Sequence, residues 1–171
     1  MMKAVRKTTR KSRGGFTLIE VLIVIEIVSI LAAWSIPNML VSRKTANETV
    51  AVAELQVIIA GEVTYRERSP DYASLSQLQT AGLIDASVAN AASDGSSTPS
   101  ATPRAGYTYS MTAVSTTQFW TYAQPTLTGG NWWFYTDETG IVWAASASLA
   151  TAPLADSSGA RPGSEWQEIT D

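Results

Sequence analysis

Hydrophobic side chains crowd the start of the chain and thin out beyond it. Residues 16–36 form a run of 21 positions in which Glu20 and Glu26 are the only ionisable side chains. Leu18, Ile19, Val21, Leu22, Ile23, Val24, Ile25, Ile27, Val28, Ile30 and Leu31 leave no polar face, so the run predicts a helix held in lipid or among other chains. At about 1.5 Å per residue it is roughly 30 Å long, the thickness of a bilayer core. Pro37 cannot donate to the carbonyl of Ala33, which predicts a kink or local melt there. Beyond it the pattern becomes amphipathic. Val52, Leu55, Ile59 and Val63 recur at helical spacing with Ile58 beside them, and Glu48, Glu54, Arg66 and Glu67 are left for water. Arg68-Ser69-Pro70-Asp71 reads as the stop. One long helix therefore has two parts, an apolar half over 16–37 and an amphipathic half over 38–68.

Residues 69–105 read as a variable connecting region. A short helix within 71–86, capped by Ser74 or Asp71, carries Leu75, Leu78 and Leu83, and Gly82 breaks it. A Ser/Thr/Ala/Pro-rich surface loop with an Asp94-Gly95 turn follows over 87–105. Residues 106–149 alternate with period two. Tyr107, Tyr109 and Met111 lead, then Phe119, Thr121 and Ala123, then Trp132, Phe134 and Thr136, then Ile141, Trp143 and Ala145. With turns at Thr128-Gly129-Gly130-Asn131 and Asp137-Glu138-Thr139-Gly140, this predicts a four-stranded antiparallel meander packed on the amphipathic half of the helix. Residues 150–171 are small, polar and acidic, and read as a flexible tail. The fold class is α+β.

Charge changes the picture at the N-terminus. Lys3, Arg6, Lys7, Arg10, Lys11 and Arg13 stand in residues 1–15 with no acid among them, although the whole chain has a net charge of −3. A basic head before an apolar span stays on the cytoplasmic side. An ordinary secretory signal is cut after its apolar region. Here the basic run meets Gly14-Gly15 directly, so a cut at that point removes a leader of residues 1–15 and leaves the apolar helix on the product. The chain has neither cysteine nor histidine. A domain facing outward is therefore held by packing, and the side chain most used for proton transfer near neutrality is missing. No phosphate loop or nucleophile with its base stands out, and no cofactor is implied. A basic tail without a reading fold also argues against direct nucleic-acid binding.

The stretch Gly14-Gly15-Phe16-Thr17-Leu18-Ile19-Glu20-Val21-Leu22-Ile23-Val24-Ile25, continuing through Leu31-Ala32-Ala33-Trp34-Ser35-Ile36-Pro37-Asn38, resembles the N-terminal signal of type IV prepilins and type II secretion pseudopilins. The resemblance implies the pilin fold, with the long helix packed on the sheet. It also implies a cut between Gly15 and Phe16 by a prepilin peptidase, and methylation of the new amine of Phe16 by the same enzyme. A single-pass anchor in the inner membrane would follow. An assembly ATPase and a platform protein would then lift subunits into a homo-oligomeric helical filament, periplasmic or extracellular, with minor pilins as further partners. Within this resemblance Glu20 recruits and registers each new subunit, and Pro37 provides a point where the helix can extend. A type II secretion pseudopilin is the nearest alternative, and a non-polymerising single-pass membrane protein with a ligand-binding domain is the second. Neither reading makes the chain an enzyme.

Physical chemistry supports the role of Glu20. A carboxylate in hydrocarbon costs several kcal/mol and seeks a partner or a proton. No basic side chain lies between Arg13 and Arg43, so the amine created at Phe16 is the cation within reach. Glu26 departs from the family pattern. Six residues along a helix is about 240° round and about 9 Å up, so one amine cannot serve both acids. Glu26 is expected to be protonated, or to bond a polar group such as Ser29 or a neighbouring chain. Asp137 and Glu138 are the acids best placed to ligand calcium, yet two neighbouring acids fall short of the six to eight oxygens it takes. The aromatic residues, with six Trp and six Tyr, are expected mainly in core and cross-strand packing.

Overall fold

A computed structural model describes residues 15–91, 102–113, 116–148 and 166–169. Residues 1–14 of the expected leader, the Asp94-Gly95 turn and most of the tail from 150 lie outside the described residues. Helix α1 spans Leu18–Arg66, with Pro37 inside it. The chain divides into two units, Met1–Leu40 and Val41–Asp171.

In the first unit the side chains of α1 are almost all exposed, as an all-round apolar surface requires when its surroundings are lipid or other chains. In the second unit one face of α1 is buried, through Ala51, Leu55, Ile58, Gly61 and Glu62. This corrects the expected stripe. Val52 and Ile59 are only half-buried and Val63 is exposed, because the buried seam lies one residue round from them. Gly61 faces Ile84, Leu78 and Leu83 across the seam. A Cβ there would sit 3.5–3.6 Å from Ile84, Leu78 and Leu83, an ordinary contact.

Helix α2 spans Leu75–Thr80 and begins with the expected cap. Ser74 Oγ accepts from the Gln77 N–H, and the Gln77 side chain accepts from the Ser74 N–H, a reciprocal pair that satisfies two otherwise orphaned donors. A further helix, α3 over Ala86–Asn90, stands where a plain loop was expected. Asp85 makes it possible by accepting from the Ser87 N–H at 2.8 Å.

The sheet has five strands rather than four. They are β1 Tyr107–Ala113, β2 Phe119–Pro125, β3 Trp132–Asp137, β4 Val142–Ser146 and β5 Gln167–Glu168, antiparallel in sequence order. The fifth corrects the expected tail at residues 166–169, which pair with β4 and place the buried Trp166 against Tyr135. That Trp is the one aromatic group in a polar stretch. The inner face gives Tyr107, Tyr109, Met111, Phe119, Ala123, Phe134 and Val142 to the core shared with α1, α2 and α3. The opposite face collects Trp120, Trp133, Tyr135 and Trp166, with Tyr122 and Trp143 at its margin. Cross-strand register explains both sets, since Tyr122 faces Tyr135 and Tyr135 faces Trp143 on one side of the pleat.

Two glycines let the sheet meet the helix. A Cβ on Gly129 would lie 1.8 Å from the Gly106 carbonyl oxygen, so the turn before β3 closes only with glycine there. That turn is then tied to α1. Asn47 donates to the Gly129 carbonyl (2.9 Å), Lys44 Nζ to Asn131 Oδ1 (2.9 Å), and Glu48 accepts from the Asn131 N–H (2.7 Å). Glu48 was expected simply to face water.

Candidate functional site: the N-terminal helix

The first turn of α1 is built by Thr17 and Glu20. The Thr17 N–H donates to Glu20 Oε2 at 3.5 Å, and the Glu20 N–H donates to Thr17 Oγ1 at 3.3 Å. This is the Thr-x-x-Glu capping box, and the acid also meets the positive end of the helix dipole. The spacing was legible in the sequence, but the resemblance had drawn attention to the Phe16 amine instead. With Gly15 attached, the nitrogen of Phe16 is an amide, and Glu20 is held within its own chain. A cut after Gly15 would place an ammonium one residue before the Thr17 N–H from which the same carboxylate accepts.

Around this cap the surface is apolar and open. Phe16 is 84% exposed, and Leu18, Val21, Leu22 and Ile25 line a shallow apolar hollow with it. The helix is long and apolar enough to cross a membrane. Glu26 is exposed and, among the described residues, its side chain has no hydrogen-bond or ion-pair partner. Ser29 does not hydrogen-bond to it, because the Ser29 hydroxyl donates to the Ile25 carbonyl at 2.6 Å. Pro37 lies inside the continuous helix, where its missing N–H leaves the Ala33 carbonyl without the usual donor.

The other candidate acids stand apart. Asp137 Oδ1 accepts from the Thr139 N–H at 2.9 Å and from the Thr139 hydroxyl, so it builds its own turn. Glu138 is exposed beside it, and among the described residues no three acids gather as a metal site would need. Two acids that sequence reading left for water or did not single out hold the connecting region down. Glu54 meets Arg104 at 2.7 Å, and the same guanidinium reaches Asp85 at 3.1 Å. Bonds from Ser87 and the nearby Arg104 hold the Asp85 carboxyl below its ordinary range. Glu62 is fully buried. Its Oε2 accepts from the Ala73 N–H at 3.1 Å, while Oε1 has no partner among the described residues. Burial pushes its carboxyl up to about 7, against the pull of that bond and of Arg66 one turn on. A single acid inside an apolar seam carries no spacing signal, which is why the sequence did not reveal it.

The comparisons with known proteins meet this geometry at the same segment. The protein-family model for the prokaryotic N-terminal methylation motif matches residues 10–36. The chain is similar to the type IV wide pilus major component PilA4 of Thermus thermophilus, 35% identical over 144 residues, which is 84% of this chain and 96% of that protein. It is also similar to the type II secretion system core protein G of Pseudomonas aeruginosa, 35% identical over 68 residues, 40% of this chain and 48% of that one. The protein of the same description from Vibrio cholerae is 41% identical over 54 residues, 32% of this chain and 34% of that one. With an exposed apolar helix capped by Glu20, a five-stranded antiparallel sheet, and a pilin relative matched along most of both chains, this chain belongs to the type IV pilin family.

Proposed function

We propose that the chain is the structural subunit of a type IV pilus-like filament, made as a precursor, cut between Gly15 and Phe16 and methylated on the new amine of Phe16. The observation that carries this reading is the acid at the capped start of a long helix whose apolar surface is left open. Burying that surface against other copies removes it from lipid or water, and the ammonium of Phe16 gives the Glu20 carboxylate a partner in a region with no other cation. When that ammonium belongs to the next copy, the contact is head-to-tail, and repeated without closing into a ring it makes a filament.

The reading assigns Gly15 as the peptidase determinant and places the chain in the inner membrane before assembly. The prepilin peptidase and methyltransferase, an assembly ATPase and a platform protein are its processing partners, with minor pilins joining the filament. The chain is a substrate of these enzymes rather than an enzyme. Glu26 pairs between neighbouring helices, and Pro37 marks where the helix can extend. The pilus reading is favoured over a secretion pseudopilin by coverage, since likeness to the pilus component runs through 144 residues and likeness to the secretion proteins through 68 or fewer. Replacing Glu20 with Ala tests the assembly role. Loss of filaments with the cut chain still present in the membrane is expected, and unchanged filaments would overturn it.

A further inference from the structure

The globular unit carries an apolar groove with an acidic rim. It lies between α1 and strands β3, β4 and β5 and holds about 280 Å³. Trp132, Phe134, Ala144 and Ile169 line it, and Trp132 and Ile169 remain 42% and 39% exposed, a large aromatic and a branched aliphatic side chain open to solvent. Glu48 and Glu168 stand at its edges. Glu48 accepts from the Asn131 N–H through Oε1, and its other oxygen is uncommitted; the exposed Glu168 has no side-chain partner among the described residues.

The chain also displays the complement of this groove. On α1, Met39 and Leu40 are exposed apolar groups, and the exposed Arg43 follows four and three residues later in the sequence of the same helix. Among the described residues the ion pairs are those of Arg104 with Glu54 and Asp85, so Arg43 is an exposed cation without an anion. Lys44 beside it is already bound to Asn131. Apolar surface followed by a cation matches apolar floor bounded by acids.

We propose that the groove receives the segment around Met39, Leu40 and Arg43 of a second copy of this chain, with Arg43 placed between Glu48 and Glu168 of the receiving copy. The proposal rests on the filament reading and adds to it a contact outside the N-terminal helix core. It is a contact between two different patches, so within the filament it repeats from one copy to the next. Apolar burial supplies the attraction, and the charges fix the register, since an unpaired Arg over the acidic rim would be satisfied in one position along the groove.

The chain has no cysteine, so introduced thiols report on this contact alone. One chain carries R43C and another E168C, the two are co-assembled, and the filaments are treated with a thiol-specific linker of about 10 Å, because Arg and Glu side chains hold their backbones farther apart than the roughly 7 Å a direct disulfide spans. Covalent dimers containing one chain of each kind are expected. A chain carrying both substitutions is expected to give a ladder of multimers. Filaments that form without these dimers, or a doubly substituted chain linked only to itself, would overturn the docking while leaving the filament reading intact. Absence of filaments from the unmodified chain would overturn the filament reading and the docking with it. If R43C itself fails to assemble, the charge swap decides. R43E is expected to lose most filaments and R43E with E168K to regain them, and failure of that rescue would overturn the proposal.

Discussion

Replacing Glu62 with Gln is expected to make the globular unit more stable at alkaline pH and to leave it nearly unchanged at acid pH. Glu62 is fully buried, one of its oxygens has no partner among the described residues, and its carboxyl is pushed from 4.5 up to about 7. A group raised in the folded state contributes stability that is fully present below its unfolded value and is lost as pH rises through its folded value. For Glu62 that loss begins near pH 4.5 and is complete above about pH 7. The difference corresponds to about 3 kcal/mol. Gln keeps an oxygen to accept from the Ala73 N–H and never ionises, so it imitates the protonated acid at every pH. With a urea dependence of about 1.5 kcal/mol per molar, E62Q should raise the unfolding midpoint by about 2 M at pH 8 and by little at pH 4. The assay is urea unfolding of the detergent-solubilised chain, followed by the fluorescence of its buried tryptophans. Parallel midpoint-against-pH curves for the two chains would refute the reasoning, since they would mean that Glu62 titrates as it does in the unfolded chain.

Further outcomes follow from the same packing. Gly61→Ala should be tolerated and stabilise α1 by up to about 1 kcal/mol, because the added methyl meets only ordinary contacts. Gly129→Ala should cost about 3 kcal/mol, because its methyl would overlap the Gly106 carbonyl; thermal unfolding of the two variants should shift in opposite directions. Arg104→Met should lower stability by about 2 kcal/mol, because Glu54, whose side chain is only 12% exposed, loses its cation. That variant should also show faster amide exchange in α2 and α3, which the same guanidinium ties to α1 through Asp85.

Period and punctuation made most of the fold legible. Alternation over Tyr107–Ala113 and the later strands identified four of the five strands, and the Ser74 cap identified α2. Strand β5 was hidden because two residues cannot show an alternation, and only Trp166 marked where the polar tail turns inward. Helix α3 was hidden for the same reason, its signal reduced to Asp85. The buried seam of α1 was misplaced by one residue because Ala51 and Gly61 are small, and hydrophobicity alone pointed to the larger Val52, Ile59 and Val63 instead. In the N-terminal segment, residue types revealed the acids, but geometry showed what each one holds. Glu20 closes a box with Thr17, Asp137 closes its own turn, and Glu26 is left open to solvent or a neighbour.

The central claim is that this chain reaches its filament only after losing residues 1–15, and the mass of its mature N-terminus tests that most directly. Filaments sheared from cells, digested and analysed by mass spectrometry should give an N-terminal peptide that begins at Phe16 and carries one methyl group on its amine. A peptide that begins at Met1, or a Phe16 still joined to Gly15 in assembled filaments, would contradict the account.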